Sequence, residues 1–315
     1  MPHYTGIWPA LVTPLTDEHQ VNEAATAKLI NDLIASGISG LYVCGGTGEG
    51  VILLPEVRRT MTEVALGVVA GRVPVIVHVG AVNTDQAVGL AQHASLIGAD
   101  AISAVPPFYY SVPFSAVKAH YQAITDAASV PLYIYYIPGA TGTPMAPEQL
   151  LELCAMDGVA GFKYTSQDLY SFTRLMAMRD PERVNVFSGP DELFLPCLAL
   201  GADGAIGTTY NFMPRLYIDI YESYRVGEVE QARKLQWAAT QLIHRLLPPG
   251  AIASTKVLLH WLGYEVGFCM PPLPRIEGDA AEDLRVQLEA AGLFELVQRK
   301  AKHGPAGDPM RGRLA

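Results

Sequence analysis

Positive charge is scarce in this chain. Its 315 residues hold 22 lysines and arginines against 31 aspartates and glutamates, a formal net charge of −9. A surface of that sign repels phosphate backbones and anionic lipid, which excludes nucleic acid and membrane as the main partners. It leaves open a small anionic substrate, which needs only local donors. Cysteine is just as sparse. Cys44, Cys154, Cys197 and Cys269 stand far apart with no C-x-x-C pair, excluding a disulfide framework or a cysteine zinc site. They read as reduced, mostly buried thiols of a cytoplasmic protein. The eight histidines are scattered and no two stand at metal-ligand spacing, so no metal is expected; His78 reads as a core or rim histidine. No apolar run reaches the roughly 18 residues of a membrane span. Met1–Thr13 lacks a charged segment followed by a long apolar core, so no signal peptide is expected. There is no G-x-G-x-x-G or P-loop to suggest a nucleotide.

Apolar residues, by contrast, make up half the chain, enough for a large core. Short apolar runs alternate with longer helix-like segments. The runs are Gly6–Thr13, Leu41–Cys44, Val73–Val79, Ala101–Val105, Leu132–Ile137, Val159–Thr165, Val184–Phe187 and Ala205–Gly207. Pro9 is awkward inside the first of them. Between them, Asn22 and Thr84 offer helix N-caps, Gly37 a stop, and Pro55 a first-turn proline. The remaining helices are expected near 113–128, 147–155, 167–178, 191–200 and 214–225. Near-continuous apolar strands imply a parallel sheet covered by helices, and eight βα units are the closing number of a (β/α)8 TIM barrel. An open doubly wound sheet is the alternative. Residues 1–226 are expected to form the barrel. Helices at 228–247, 251–262 and 279–291 form a C-terminal appendage over 227–303, and 304–315 is a Gly/Pro/Arg-rich, disordered tail.

One run breaks a rule. Val159-Ala160-Gly161-Phe162-Lys163-Tyr164-Thr165 carries one of only seven lysines in the chain. Desolvation favours the neutral amine, the form that attacks a ketone to make a Schiff base; the other possibility is a lysine that snorkels to water. In a barrel of this kind chemistry sits where strands end. After the second run comes Gly45-Gly46-Thr47-Gly48-Glu49-Gly50, either an anion-binding loop with a threonine hydroxyl or a tight turn that needs positive φ. The fifth run carries Tyr135 beside Lys163, and a phenol next to a cationic imine has a lowered pKa and can pass protons. Asp191 and Glu192 stand at a helix N-terminus, where they favour the helix dipole or accept from a hydroxylated substrate. Gly207-Thr208-Thr209-Tyr210-Asn211 suits a pocket wall.

Taken together, Gly45–Glu49, Phe108-Tyr109-Tyr110, Tyr135-Tyr136-Ile137-Pro138, Gly161–Thr165 and Gly204–Gly207 resemble the dihydrodipicolinate synthase/N-acetylneuraminate lyase family of class I aldolases. Lys163–Ser166, Gly189–Glu192 and Gly207–Asn211 look most like its sialic-acid lyase branch. Ala140 stands where the synthase branch usually has an arginine that holds a substrate carboxylate. The resemblance implies a pyruvate-dependent lyase that needs no cofactor. Lys163 would form the imine, Tyr135 would move the proton, and Tyr110 would support the relay from a neighbouring subunit of a homotetramer. Gly46 and Thr47 would hold the 2-oxo acid's carboxylate; Thr165, Gly189, Asp191, Glu192 and Thr208 would contact the aldehyde or polyol portion. Two departures stand out: Gly46 replaces a hydroxyl-bearing residue, and Pro190 replaces a residue that is commonly tyrosine. An aldolase or dehydratase of 2-keto-3-deoxy sugar acids therefore stays open. Dihydrodipicolinate synthase and a non-catalytic pyruvate-binding barrel stand behind it.

Overall fold

Eight short strands, each buried along its whole length, run parallel around a central axis. They are β1 (Gly6–Pro9), β2 (Leu41–Val43), β3 (Val75–His78), β4 (Ala101–Ala104), β5 (Leu132–Tyr136), β6 (Val159–Tyr164), β7 (Asn185–Ser188) and β8 (Gly204–Gly207). The structure is a computed structural model and describes residues 3–299. Hydrogen bonding follows the order β1-β8-β7-β6-β5-β4-β3-β2. The ring closes where Ala10 bridges Tyr42 in parallel, with the Leu11 N–H donating to the Tyr42 carbonyl at 2.9 Å. Helices separate successive strands, so the chain is a (β/α)8 barrel, and further helices at Val229–Leu246, Ala251–Trp261, Asp279–Ala290 and Leu293–Val297 follow it. The expected tail from Gly304 lies outside the described residues. No helix among those residues is long and apolar enough to cross a membrane.

Local chemistry explains most element boundaries. Asn22 caps Glu23–Ala35 by accepting from the Ala25 N–H at 3.1 Å, and Pro55 opens Pro55–Val69. The cap of Thr84–Leu96 is Asn83 rather than Thr84: its carboxamide accepts from the Gln86 N–H at 2.8 Å. The Thr84 hydroxyl instead meets His120 Nδ1 at 2.9 Å, tying this helix to Phe114–Ala127. The first strand ends at Pro9, short of the apolar run, because the chain turns into loops that close the ring. A short helix at Pro138–Thr141 was not foreseen; Pro138 starts it and Gly142, at φ +66, ends it. The single helix expected over 191–200 divides into a 3-10 turn, Asp191–Leu193, and a helix, Phe194–Ala199.

Two apolar layers result. One lies between strands and helices; the other fills the barrel with Trp8, Tyr42, Ile76, Tyr133, Tyr135 and Phe187. Side chains on a regular strand alternate between these layers. In β6 they do not. Val159 and Phe162 both face the helices although they are three residues apart, and Ala160 faces inward. The pairing shows why: Leu132 sits opposite Val159, but the next residue, Tyr133, sits opposite Gly161. One extra residue has been inserted as a β-bulge. A one-residue shift exchanges the faces of everything that follows. Counted from Val159 by strict alternation, Lys163 would face the helices; the bulge turns it into the barrel, opposite Tyr135.

Gly161 makes the bulge possible, since a Cβ there would lie 1.8 Å from the Asn185 carbonyl oxygen. Gly161→Ala is expected to lower stability by about 1–3 kcal/mol through overpacking. Gly67, exposed within Pro55–Val69 with nothing near its would-be Cβ, gives the opposite sign: Gly67→Ala should stabilise by up to about 1 kcal/mol. Urea unfolding of both variants checks the pair, and equal effects would refute the assignment of the bulge to Gly161.

Candidate active site

Lys163 stands near the C-terminal end of β6, between Tyr135 of β5 and Phe187 of β7. Its side chain is 4% exposed, so it does not snorkel to water. Nζ lies 4.3 Å from the centroid of the Tyr135 ring and 4.8 Å from that of Tyr42. It belongs to no ion pair among the described residues. Burial pulls its pKa down to about 7, with the Asp191 carboxylate pulling back weakly. A large share of the amine is therefore uncharged near neutral pH.

Asp191 is the carboxylate that acts on this amine, and it makes no direct contact with it. Its Oδ2 accepts from the Thr209 N–H at 2.8 Å and the Thr209 hydroxyl at 2.7 Å. The one Thr209 hydroxyl proton is thus committed, so the Tyr217 hydroxyl, 2.8 Å away, donates to Thr209 Oγ1. Oδ1 is buried without a partner. Desolvation pushes the acid up to about 6, against the two bonds from Thr209. Asp191 opens a 3-10 turn and is buried, with its carboxylate bonded to Thr209 rather than to the turn's own N–H groups. Gly207 must be glycine here, because a Cβ would lie 2.0 Å from Asp191 Oδ1.

The Tyr135 phenol is held up at about 12 by burial, with Thr165 lowering it and Asp191 raising it. It is protonated in the free protein; the lowering expected beside an imine requires the imine's charge. The Thr165 hydroxyl lies close to the phenol but outside hydrogen-bonding geometry, and its Oγ1 is unpartnered. On its other side the phenol faces Gly46, whose would-be Cβ is 3.6 Å from the Tyr135 oxygen.

The glycine-rich loop after β2 is not a positive-φ turn at its glycines. The left-handed residues are Cys44, at φ +58, and Glu49, at φ +61. Its glycines serve close approach: a Cβ would meet the Tyr42 ring at 2.3 Å from Gly45, the Leu11 carbonyl oxygen at 2.8 Å from Gly48, and the Cys44 carbonyl oxygen at 1.8 Å from Gly50. Among the described residues the Gly46 and Thr47 N–H groups have no intramolecular acceptor. Thr47 Oγ1 meets Thr208 Oγ1 at 2.7 Å, joining the β2 and β8 loops. Glu49 is buried and faces Lys256 Nζ at 2.6 Å, and it accepts from the Met270 N–H at 2.5 Å. Lys256 Nζ also donates to the Phe268 carbonyl at 2.8 Å, which its three N–H donors allow alongside the contact with Glu49. This pair pins the loop to helix Ala251–Trp261, and sequence reasoning missed it because Lys256 lies in an ordinary helical pattern.

Thr165, Gly189, Asp191, Glu192 and Thr208 line one cleft of about 250 Å³, as a group of residues from the ends of three strands. Gly189 permits the approach of Thr165, whose Oγ1 would lie 1.9 Å from a Cβ there. The outer wall, including Gln167, Ile243 and Leu247, was not anticipated; helix Val229–Leu246 shows only an amphipathic pattern, which does not say what its apolar face covers. Tyr110 is not brought to this cleft. It is 71% exposed and packs edge-to-face on Tyr109, which is 83% exposed.

A buried amine whose pKa is lowered destabilises the fold wherever the unfolded chain would be charged. The penalty is full below about 7 and fades as pH rises toward the ordinary lysine value. Lys163→Met is therefore expected to raise Tm by several degrees at pH 6 and by little above pH 10. Thermal melts across that range check it; a pH-independent difference would contradict the lowered pKa.

Comparison with known proteins follows this geometry closely. The family model described as the dihydrodipicolinate synthetase family matches residues 3–291. The N-acetylneuraminate lyase of Rhizobium meliloti is 36% identical over 272 residues, spanning 86% of this chain and 90% of the relative. The Clostridium difficile protein CdNal, solved in complex with mannosamine, superimposes with a TM-score of 0.85 at 32% identity, covering 92% of this chain and 98% of that one. A catalytic lysine mutant of the Ruminococcus gnavus sialic acid aldolase gives a TM-score of 0.86 at 29% identity, covering 92% and 97%. With the match running through every strand that carries the cleft, the chain belongs to the dihydrodipicolinate synthetase family.

Proposed function

We propose that this protein is a Schiff-base lyase that cleaves or forms the bond between pyruvate and an aldehyde in a sugar-acid-like 2-oxo acid, as an N-acetylneuraminate lyase does. The observation that carries this reading is an unpaired, buried Lys163 amine stacked on the Tyr135 ring, with a pKa of about 7. The neutral amine adds to the ketone while the Gly46 and Thr47 N–H groups and the Thr47 hydroxyl hold the carboxylate. Tyr135, protonated in the free enzyme, donates its proton to the departing hydroxyl of the carbinolamine. Water leaves, and phenolate and iminium are left side by side, each stabilising the other. The phenolate then takes the proton of the C4 hydroxyl. The C3–C4 bond breaks, its electron pair enters the iminium, and the aldehyde departs. Protonation of the enamine at C3 and hydrolysis release pyruvate and restore the amine. Thr165, Gly189, Asp191, Glu192 and Thr208 are assigned to the aldehyde portion.

A second reading, a dehydratase or aldolase of 2-keto-3-deoxy sugar acids, is favoured by Gly46, which leaves the Tyr135 phenol without a hydroxyl on that side. We infer a homotetrameric, cytoplasmic enzyme, and the exposed Tyr109–Tyr110 pair supports a subunit contact at which Tyr110 meets a neighbouring subunit's site.

Borohydride reduction in the presence of pyruvate should attach a stable adduct to the wild-type chain and none to Lys163→Ala, read by intact mass. Tyr135→Phe should still be trapped, with kcat lowered by about 10²–10⁴. Incubation with N-acetylneuraminate and with 2-keto-3-deoxy sugar acids separates the two readings by which substrate is consumed, and release of free pyruvate and an aldehyde separates aldol cleavage from dehydration. A wild-type enzyme that gives no adduct with any 2-oxo acid would end the lyase assignment.

A further inference from the structure

One buried charge has no use in the chemistry above. Arg58, in the first turns of helix Pro55–Val69, is 2% exposed. Its Nη1 donates to the Gly80 carbonyl at 2.9 Å and its Nη2 to the His78 carbonyl at 2.7 Å, while Nε has no partner. Among the described residues no carboxylate pairs with it; the acidic groups that act on it are only the thiol of Cys44 and the phenol of Tyr42, both protonated at neutral pH. Glu49, Asp191 and Asp203 each serve other partners. Stripping water from a guanidinium without supplying an anion is unfavourable, so a fold that keeps one has a missing counter-charge.

The place where that anion would sit follows from the neighbours. Cys44 Sγ donates to the Arg58 carbonyl at 3.7 Å, and Cys44 is the residue directly before Gly45-Gly46-Thr47. His78 bridges the two: Nδ1 donates to the Cys44 carbonyl at 3.1 Å, and Nε2 accepts from the Val105 N–H at 3.3 Å. Both ring nitrogens are thereby assigned in a neutral imidazole, which neither adds nor removes charge. The His78 ring in turn meets the Tyr135 ring edge-on at 5.8 Å. Arg58 is thus joined through His78 and Cys44 to the loop that carries the free Gly46 and Thr47 N–H groups, and besides Lys163 itself it is the buried cation without a carboxylate partner among the described residues.

We propose that Arg58 is the electrostatic counterpart of the 2-oxo acid carboxylate: a positioning residue, out of contact with substrate, whose charge makes the Gly45–Gly50 loop select an anionic ketone over a neutral one. This rests on the reading that the loop holds the carboxylate of an imine-forming substrate. It extends that reading by giving the site its charge selectivity, which the N–H donors alone supply only in part.

The experiment compares borohydride trapping of pyruvate with that of its uncharged ester, methyl pyruvate, at concentrations well below saturation. A unit charge about 10 Å from a carboxylate at an effective dielectric near 20 changes its binding by roughly tenfold, so Arg58→Met should slow pyruvate trapping by about that factor relative to methyl pyruvate. Arg58→Lys keeps the charge but not the paired bonds to the two carbonyls, and should retain the wild-type preference for pyruvate. If Arg58→Met does not fold, Arg58→Gln replaces it as the uncharged variant: loss of the preference for pyruvate there, with its retention in Arg58→Lys, supports the proposal, and retention in both overturns it. An equal slowing of both ketones in Arg58→Met would reduce Arg58 to a structural role and overturn it too. Absence of any adduct in the wild type would instead remove the imine reading beneath it.

Discussion

Desolvation of one amine is the constraint from which the rest of the site follows. Among the described residues three lysine or arginine side chains are buried, and each meets the cost of burial differently. Lys256 is paired with Glu49 and bonded to the Phe268 carbonyl. Arg58 keeps its charge on two backbone carbonyls. Lys163 has neither and gives up its proton instead, with a pKa of about 7. Only the last outcome makes a nucleophile. The aromatic rings of Tyr42 and Tyr135 serve that end, since they fill the space around Nζ without offering it a strong acceptor.

A lowered pKa is useless unless the amine faces the cavity, and that orientation is a matter of counting residues. The bulge at Ala160-Gly161 supplies the odd residue. It also explains why a glycine sits in the middle of an otherwise bulky strand: the Asn185 carbonyl occupies the space a side chain would need. Local backbone irregularity and global function are joined here at one position, two residues before the lysine.

Much of the barrel was legible because its periodicities are strong. Eight apolar runs, Asn22 as a cap and Pro55 as a helix opener all describe local physics that the folded chain keeps. The buried lysine was legible as a charge in an apolar strand, and its burial is what lowers its pKa. Three features were not. The bulge leaves no mark on hydropathy, since Ala160 and Gly161 suit either face. The loop glycines suggested positive φ, whereas the conformation falls on Cys44 and Glu49 and the glycines answer to the Tyr42 ring and two carbonyls. Lys256 and Arg58 sit in helices among other polar residues, where their burial depends on elements far away in sequence. Partners brought together only by ring closure cannot be read from neighbours along the chain.

Asp191 shows how finely the amine is balanced. Burial drives both groups toward neutrality, the acid up to about 6 and the amine down to about 7. Placed in direct contact they would form an ion pair, each would recover its charge, and Lys163 would resemble Lys256. The fold prevents this by giving Asp191 Oδ2 to the backbone and hydroxyl of Thr209 and by holding Oδ1 against Gly207. The carboxylate thus lines the cleft, yet is committed to Thr209 and leaves the amine free. Thr209 is itself fixed by Tyr217, which hangs from the last barrel helix, Pro214–Arg225. The state of the Lys163 amine therefore depends on the helix that ends the barrel as well as on the strand that carries it.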